Sequence, residues 1–114
     1  MLPKLKKLTR GTYPDGRNKK FMWNGTILRI QAFREGDHTH PLFAVTVPKK
    51  YLKLANERNT FKRTIYSLIE HTVEIYAHHN YGKFVFSPKT VLKGVDKELI
   101  RSEMLLFQSS LKTG

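Results

Sequence analysis

The sequence predicts an α+β fold, a small two-layer sandwich with helices covering one sheet, and three patterns carry that reading. The runs "TILRIQAFR", "LFAVTV" and "KFVFSP" have the β-branched and aromatic composition of strands. Residues 56–77 repeat apolar positions at three- and four-residue spacing, the period of an amphipathic helix. A second stretch of that kind follows Asp96. Strands and helices alternate along 114 residues, enough for one domain with its own core.

Taken in order, residues 1–20 read "MLPKLKKLTRGTYPDGRNKK", with seven Lys or Arg and Asp15 as the only acid. Pro3, Gly11, Pro14 and Gly16 break any long helix, so this is a basic N-terminal arm, flexible until a partner neutralises it, or a solubilising tail. The single domain spans residues 21–110. Phe21 to Trp23 read as one more short strand, Asn24-Gly25 offers a turn, and residues 26–34 form a strand. Residues 35–41 are a loop, and the apolar run 42–47 is a strand buried on both faces, expected to pair with its predecessor as a hairpin.

Pro48 ends that strand. The long helix begins at Asn56 as cap and runs to Ala77, burying Phe61, Ile65, Leu68, Thr72 and Ile75, with Gly82 as a stop. Residues 83–88 are the next strand. Asp96 caps a final helix with Leu99, Ile100, Met104, Leu105 and Phe107 on its apolar face, before the "SSLKTG" tail frays.

The charge narrows the function. Lys plus Arg number 21 against 9 Asp plus Glu, a formal net charge of +12, which strains a compact fold unless a polyanion neutralises it. Nucleic acid fits best, because clustered phosphates reward clustered cations through counterion release. An anionic membrane surface fits less well, since the long helix needs its apolar stripe for the core. With no cysteine there is no disulfide-linked partner, and a reducing cytoplasm is the expected location. The basic start lacks a signal peptide's apolar segment.

The cations concentrate in "PKKYLKLANERNTFKR", residues 48–63. At 100° per residue with Arg58 at zero, Phe61, Ile65 and Leu68 fall between about 280° and 340°, while Asn59, Lys62, Arg63 and Tyr66 fall between about 40° and 140°. A cationic face therefore lies beside the core stripe. Lys49, Lys50, Lys53, Arg58, Asn59, Lys62 and Arg63 are the candidate RNA-binding residues, Arg supplying a fork for phosphate and Lys a point charge. Tyr13, Phe21 and Tyr51 are candidate platforms on which unpaired bases stack.

Catalytic machinery is not apparent. His38 and His40 flank Thr39, and His78 and His79 are adjacent, so neither pair has the spacing or the company of a zinc site. The acids are scattered, and no nucleophile or phosphate-loop motif occurs. The sequence therefore predicts no catalytic residue and no metal ligand in the protein itself.

These residues support a resemblance. "FAVTVPKKYLKLANERNTFKR" resembles, without a gap, the signature of the bacterial ribonuclease P protein component: an apolar strand, a Lys-Lys pair, a basic loop, an Ala, then a helix bearing Arg-Asn-Arg-x-x-Arg, usually with a cation before the last Arg. The matching positions are Lys49, Lys50, Ala55, Arg58, Asn59, Thr60, Lys62 and Arg63. The segment "KFVFSPKTVLKGVDKELIRSEMLLF" resembles the family's last strand, connecting loop and final helix. Two departures mark a divergent or shortened member: Thr60 stands where the family has its middle Arg, and residues 8–20 are too short and broken for the family's opening helix.

The resemblance implies a ribosomal protein S5 domain 2-like fold, with a mixed sheet and a left-handed strand-helix-strand crossover. It also implies an accessory subunit of an endoribonuclease. In this family the RNA subunit performs a magnesium-dependent cut that matures the tRNA 5′ end, so the implied partners are the ribonuclease P catalytic RNA and precursor tRNA, with Mg2+ held through the RNA. Two other readings compete: a non-catalytic ribosomal-type RNA-binding protein of the same fold, and a small metal-dependent nuclease built on Asp37, His38 and His40.

Overall fold

The computed structural model describes residues 6–7, 20–34, 41–72, 76 and 81–113. Its elements are β1 (Lys6–Lys7), β2 (Lys20–Asn24), β3 (Leu28–Phe33), β4 (Leu42–Val45), α1 (Ala55–Glu70), β5 (Lys83–Pro88) and α2 (Lys97–Thr113). The strands form one mixed sheet in the order β1-β4-β5-β3-β2, with β1 and β5 parallel to β4 and the β5-β3 and β3-β2 pairs antiparallel. This is the small α+β sandwich expected, consistent with the S5 domain 2-like fold.

One pairing differs from the expectation. β3 and β4 do not form a hairpin, because β5 lies between them, with Ile30 facing Phe86 on one side and Val45 facing the same residue on the other. Phe84, Val85 and Phe86 are all buried, and a strand apolar on both faces is best placed between two neighbours. The hairpin falls instead between β2 and β3, turning at Asn24-Gly25, where the Gly25 N–H donates to the Leu28 carbonyl at 2.8 Å. The residues leading into Gly82, 77–80, lie outside the described residues. The Gly82 N–H donates to the Phe33 carbonyl and its own carbonyl accepts from the Leu42 N–H, both at 2.9 Å, tying β3 and β4 to the start of β5.

The two helices cover the sheet face that carries Leu28, Ile30, Phe43, Val45, Phe84 and Phe86. From α1 come Phe61, Ile65 and Ile69, a cleaner i, i+4, i+8 row than the predicted one, with Leu68 and Thr72 only half-buried. α1 begins with Leu54 as cap residue, not Asn56, and closes at Glu70, earlier than Ala77. The Thr72 hydroxyl donates to the Leu68 carbonyl at 2.8 Å, taking up an acceptor the helix end leaves free. Ile75 lies outside the described residues.

In α2 the Asp96 cap is present, its carboxylate accepting from the Leu99 N–H at 3.1 Å. Ile100, Met104, Phe107 and Leu111 face the core, so the helix runs on through the tail expected to fray, while Leu105, off that row by one residue, is 53% exposed. Phe107 stands against the rings of Trp23, Tyr76, Phe84 and Phe86 at 5.8 to 6.3 Å.

Among the described residues, Gln108 and Glu103 are polar groups sealed inside. Gln108 donates to the Tyr76 hydroxyl at 3.0 Å and to the Thr72 hydroxyl at 3.1 Å. Burial pushes the Tyr76 phenol from 10.0 up to about 12, against the lowering effect of its bonds to Gln108 and Thr72. The unfolded chain therefore releases this proton first, so stability is intact below pH 10 and declines as pH rises from 10 toward 12. Tyr76→Phe should cost about 1 kcal/mol at neutral pH. It should also flatten the alkaline fall of stability relative to wild type, read as denaturant midpoints across that range.

Glu103 is the second sealed group, 3% exposed, with both carboxylate oxygens accepting from the Ile27 N–H at 3.0 and 3.2 Å. It fastens α2 to the β2–β3 turn. Gly25 lies against it, and a Cβ at that position would collide with Glu103 Oε1 and stand 2.8 Å from the Trp23 ring.

Candidate nucleic-acid interface

The basic segment begins where β4 leaves the sheet. Pro48 starts a turn in which its carbonyl accepts from the Tyr51 N–H at 3.0 Å, lifting Lys49 and Lys50 into solvent, while Leu52 plunges into the core. The Tyr51 carbonyl accepts from the Leu92 N–H at 2.9 Å, so the loop is also tied to the β5–α2 connection. Lys50 Nζ sits 5.0 Å above the half-buried Tyr51 ring.

Arg58 has a role the sequence did not reveal. Its Nη1 donates to the Leu52 carbonyl at 2.9 Å and the Lys53 carbonyl at 2.8 Å, so the half-buried guanidinium closes the basic loop onto the first turn of α1. At zero on the helical wheel it borders the core row, which explains its burial. Lys53, Asn59 and Arg63 are exposed, and Lys62 is half-buried. The Thr60 hydroxyl donates to the Asn56 carbonyl at 2.9 Å, a bond that stays within the helix. The structure thus brings Lys49, Lys50, Lys53, Arg58, Asn59, Lys62 and Arg63 to one junction.

The edge beside α1 adds two residues absent from the predicted set. Among the described residues β1 pairs with β4 as far as Phe43, and beyond it the Val45 N–H donates to the Tyr66 hydroxyl at 3.1 Å. Burial raises the Tyr66 phenol above its ordinary range, partly offset by this bond. Lys7 Nζ stands 4.5 Å over the Tyr66 ring. A lysine from the basic arm is thereby delivered to the flank of α1 that carries Lys62, a juxtaposition no local sequence pattern announces.

The stacking candidates divide. Tyr51 lies within the cationic loop. Phe21 is half-buried with its ring 6.2 Å from that of Tyr81, at the border of the core and away from the loop. Tyr13, like Asp37, His38, His40, His78 and His79, lies outside the described residues. Among the described residues no three His, Asp or Glu side chains gather to hold a metal. No helix among them is long and apolar enough to cross a membrane.

The family model described as Ribonuclease P matches residues 10–111, nearly the whole chain. The chain belongs to the ribonuclease P protein family. That match runs through the basic junction and α2 alike and corresponds to a ribonuclease P protein component. Membership connects the chain to tRNA processing and an endoribonuclease complex. No curated protein and no solved structure matches it closely enough to add to this.

Proposed function

We propose that the protein binds the catalytic RNA of ribonuclease P and guides the 5′ leader of precursor tRNA, assisting a magnesium-dependent cleavage that the RNA performs in the cytoplasm. The observation that carries this reading is the family's ungapped motif displayed at one strand-to-helix junction, with Lys49, Lys50, Lys53, Asn59 and Arg63 exposed around it. A phosphate backbone drawn along this surface exchanges condensed counterions for fixed cations, which favours binding most at low salt. Arg63 offers a fork to phosphate, and Arg58, already bonded through Nη1, offers its remaining donors while holding the loop lysines in place.

For the leader, Tyr13, Phe21 and Tyr51 are the proposed stacking platforms, Tyr51 with Lys50 beside it to meet the adjoining phosphate. No step in this account needs a protein-held metal ion. Magnesium is assigned to the RNA subunit.

Binding to ribonuclease P RNA measured against salt concentration tests the junction. Arg63→Ala should lower the slope of log affinity against log salt by about 0.7 to 0.9, one phosphate contact, with thermal stability unchanged. Arg58→Ala should do the same and also cost about 1 to 2 kcal/mol of stability, because two loop carbonyls lose a charged donor. Unchanged slopes for both variants would remove the junction from the interface.

A further inference from the structure

A second cationic site lies across α1 from the sheet edge. Between the two helices runs a groove of about 400 Å³ lined by Arg63, Thr64, Ser67 and Leu68 of α1 and by Lys97, Glu98 and Arg101 of α2. Its charge is three cations against one acid. Lys97 and Arg101 are one helical turn apart and both exposed, so they repel each other unless an anion lies between them. No side-chain hydrogen bond or ion pair joins Arg63, Lys97 or Arg101 to another described residue. The Thr64 hydroxyl is committed to the Thr60 carbonyl at 2.8 Å, which leaves Ser67 as the neutral donor facing the groove.

We infer that this groove holds a phosphodiester segment of RNA, extending the RNA-binding surface from α1 onto α2. Continuity decides the occupant. Arg63 belongs both to the exposed motif face and to the groove wall, so the positive charge of the motif face continues through Arg63 to Lys97 and Arg101. A chain of phosphates can follow such a track, and the aliphatic stems of the cations with Leu68 give the sugar a surface to lie on. The inference rests on the reading of this protein as an RNA binder, and its test separates the two.

The full-length protein and the double variant Lys97→Ala, Arg101→Ala are titrated with ribonuclease P RNA and with oligouridine, each across a range of salt concentrations. Lys93→Ala, an exposed cation of the β5–α2 connection outside the groove, controls for the change in net charge. The double variant should unfold at the wild-type temperature and lose about 1.4 to 1.8 from the salt slope on ribonuclease P RNA, two contacts' worth. Lys93→Ala should lose far less. A wild-type slope in the double variant on both RNAs, or an equal loss in Lys93→Ala, overturns the groove even if ribonuclease P RNA binds tightly. Wild-type binding no tighter to ribonuclease P RNA than to oligouridine overturns the ribonuclease P reading instead, and the groove is then judged on the oligouridine slope alone.

Discussion

Phe107→Ala should cost about 3 to 5 kcal/mol of stability and leave α2 poorly docked. Phe107 is fully buried and meets four rings, Trp23 from β2, Phe84 and Phe86 from the central strand, and Tyr76. Its removal leaves a cavity that none of these rings can fill without giving up another contact. A domain of this size has about 5 to 15 kcal/mol in all, so the variant should populate unfolded chain at physiological temperature. Denaturant unfolding followed by tryptophan fluorescence reads the effect directly, since Trp23 is one of the partners. A loss under 1 kcal/mol would mean that α2 is held by something other than this aromatic junction.

The second large effect is expected at Gly25. Alanine there should destabilise by about 3 kcal/mol, because the new methyl must displace the Glu103 carboxylate, the Trp23 ring, or both. The carboxylate cannot retreat freely, being sealed and bonded to the Ile27 N–H. Glu103→Ala alone should cost about 2 to 3 kcal/mol, since it strands that buried N–H. The two changes should not add. With the carboxylate gone, the alanine at position 25 conflicts only with Trp23, so the double variant should be more stable than the sum of the single losses predicts. Additive losses would show that Gly25 and Glu103 do not oppose each other.

Much of this fold is written in local pattern. The strand runs, the Asp96 cap and the stripe containing Phe61 and Ile65 follow from composition and period, and each appears in the structure. Pattern failed where a choice depended on distant residues. Nothing within residues 26–47 says that β5 will enter between β3 and β4, because that decision belongs to the apolar character of residues 84–86. The helical period in 56–77 gives no warning that α1 stops at Glu70, and the final helix runs on because Leu111 finds a place in the core.

The interface shows the same division. The positions of Lys49, Lys50 and Arg63 could be read from the motif alone. Arg58's bonds to the loop, the seating of Lys7 over Tyr66 and the groove shared by Arg63 and Arg101 required the chain to be folded. Burial of Glu103 was hidden for a further reason: a lone Glu at a helical position reads as a surface charge, and its partner Ile27 N–H is 76 residues away.

The central claim, that this protein assists ribonuclease P, is tested most directly by reconstitution. The purified protein is added to the ribonuclease P RNA of the same genome, and precursor tRNA cleavage is followed at low magnesium, where the RNA alone is slow. The account predicts a several-fold acceleration with the cut at the mature 5′ end, diminished when Arg63 is replaced by alanine. Cleavage by the RNA that is no faster with the folded protein than without it would contradict the account.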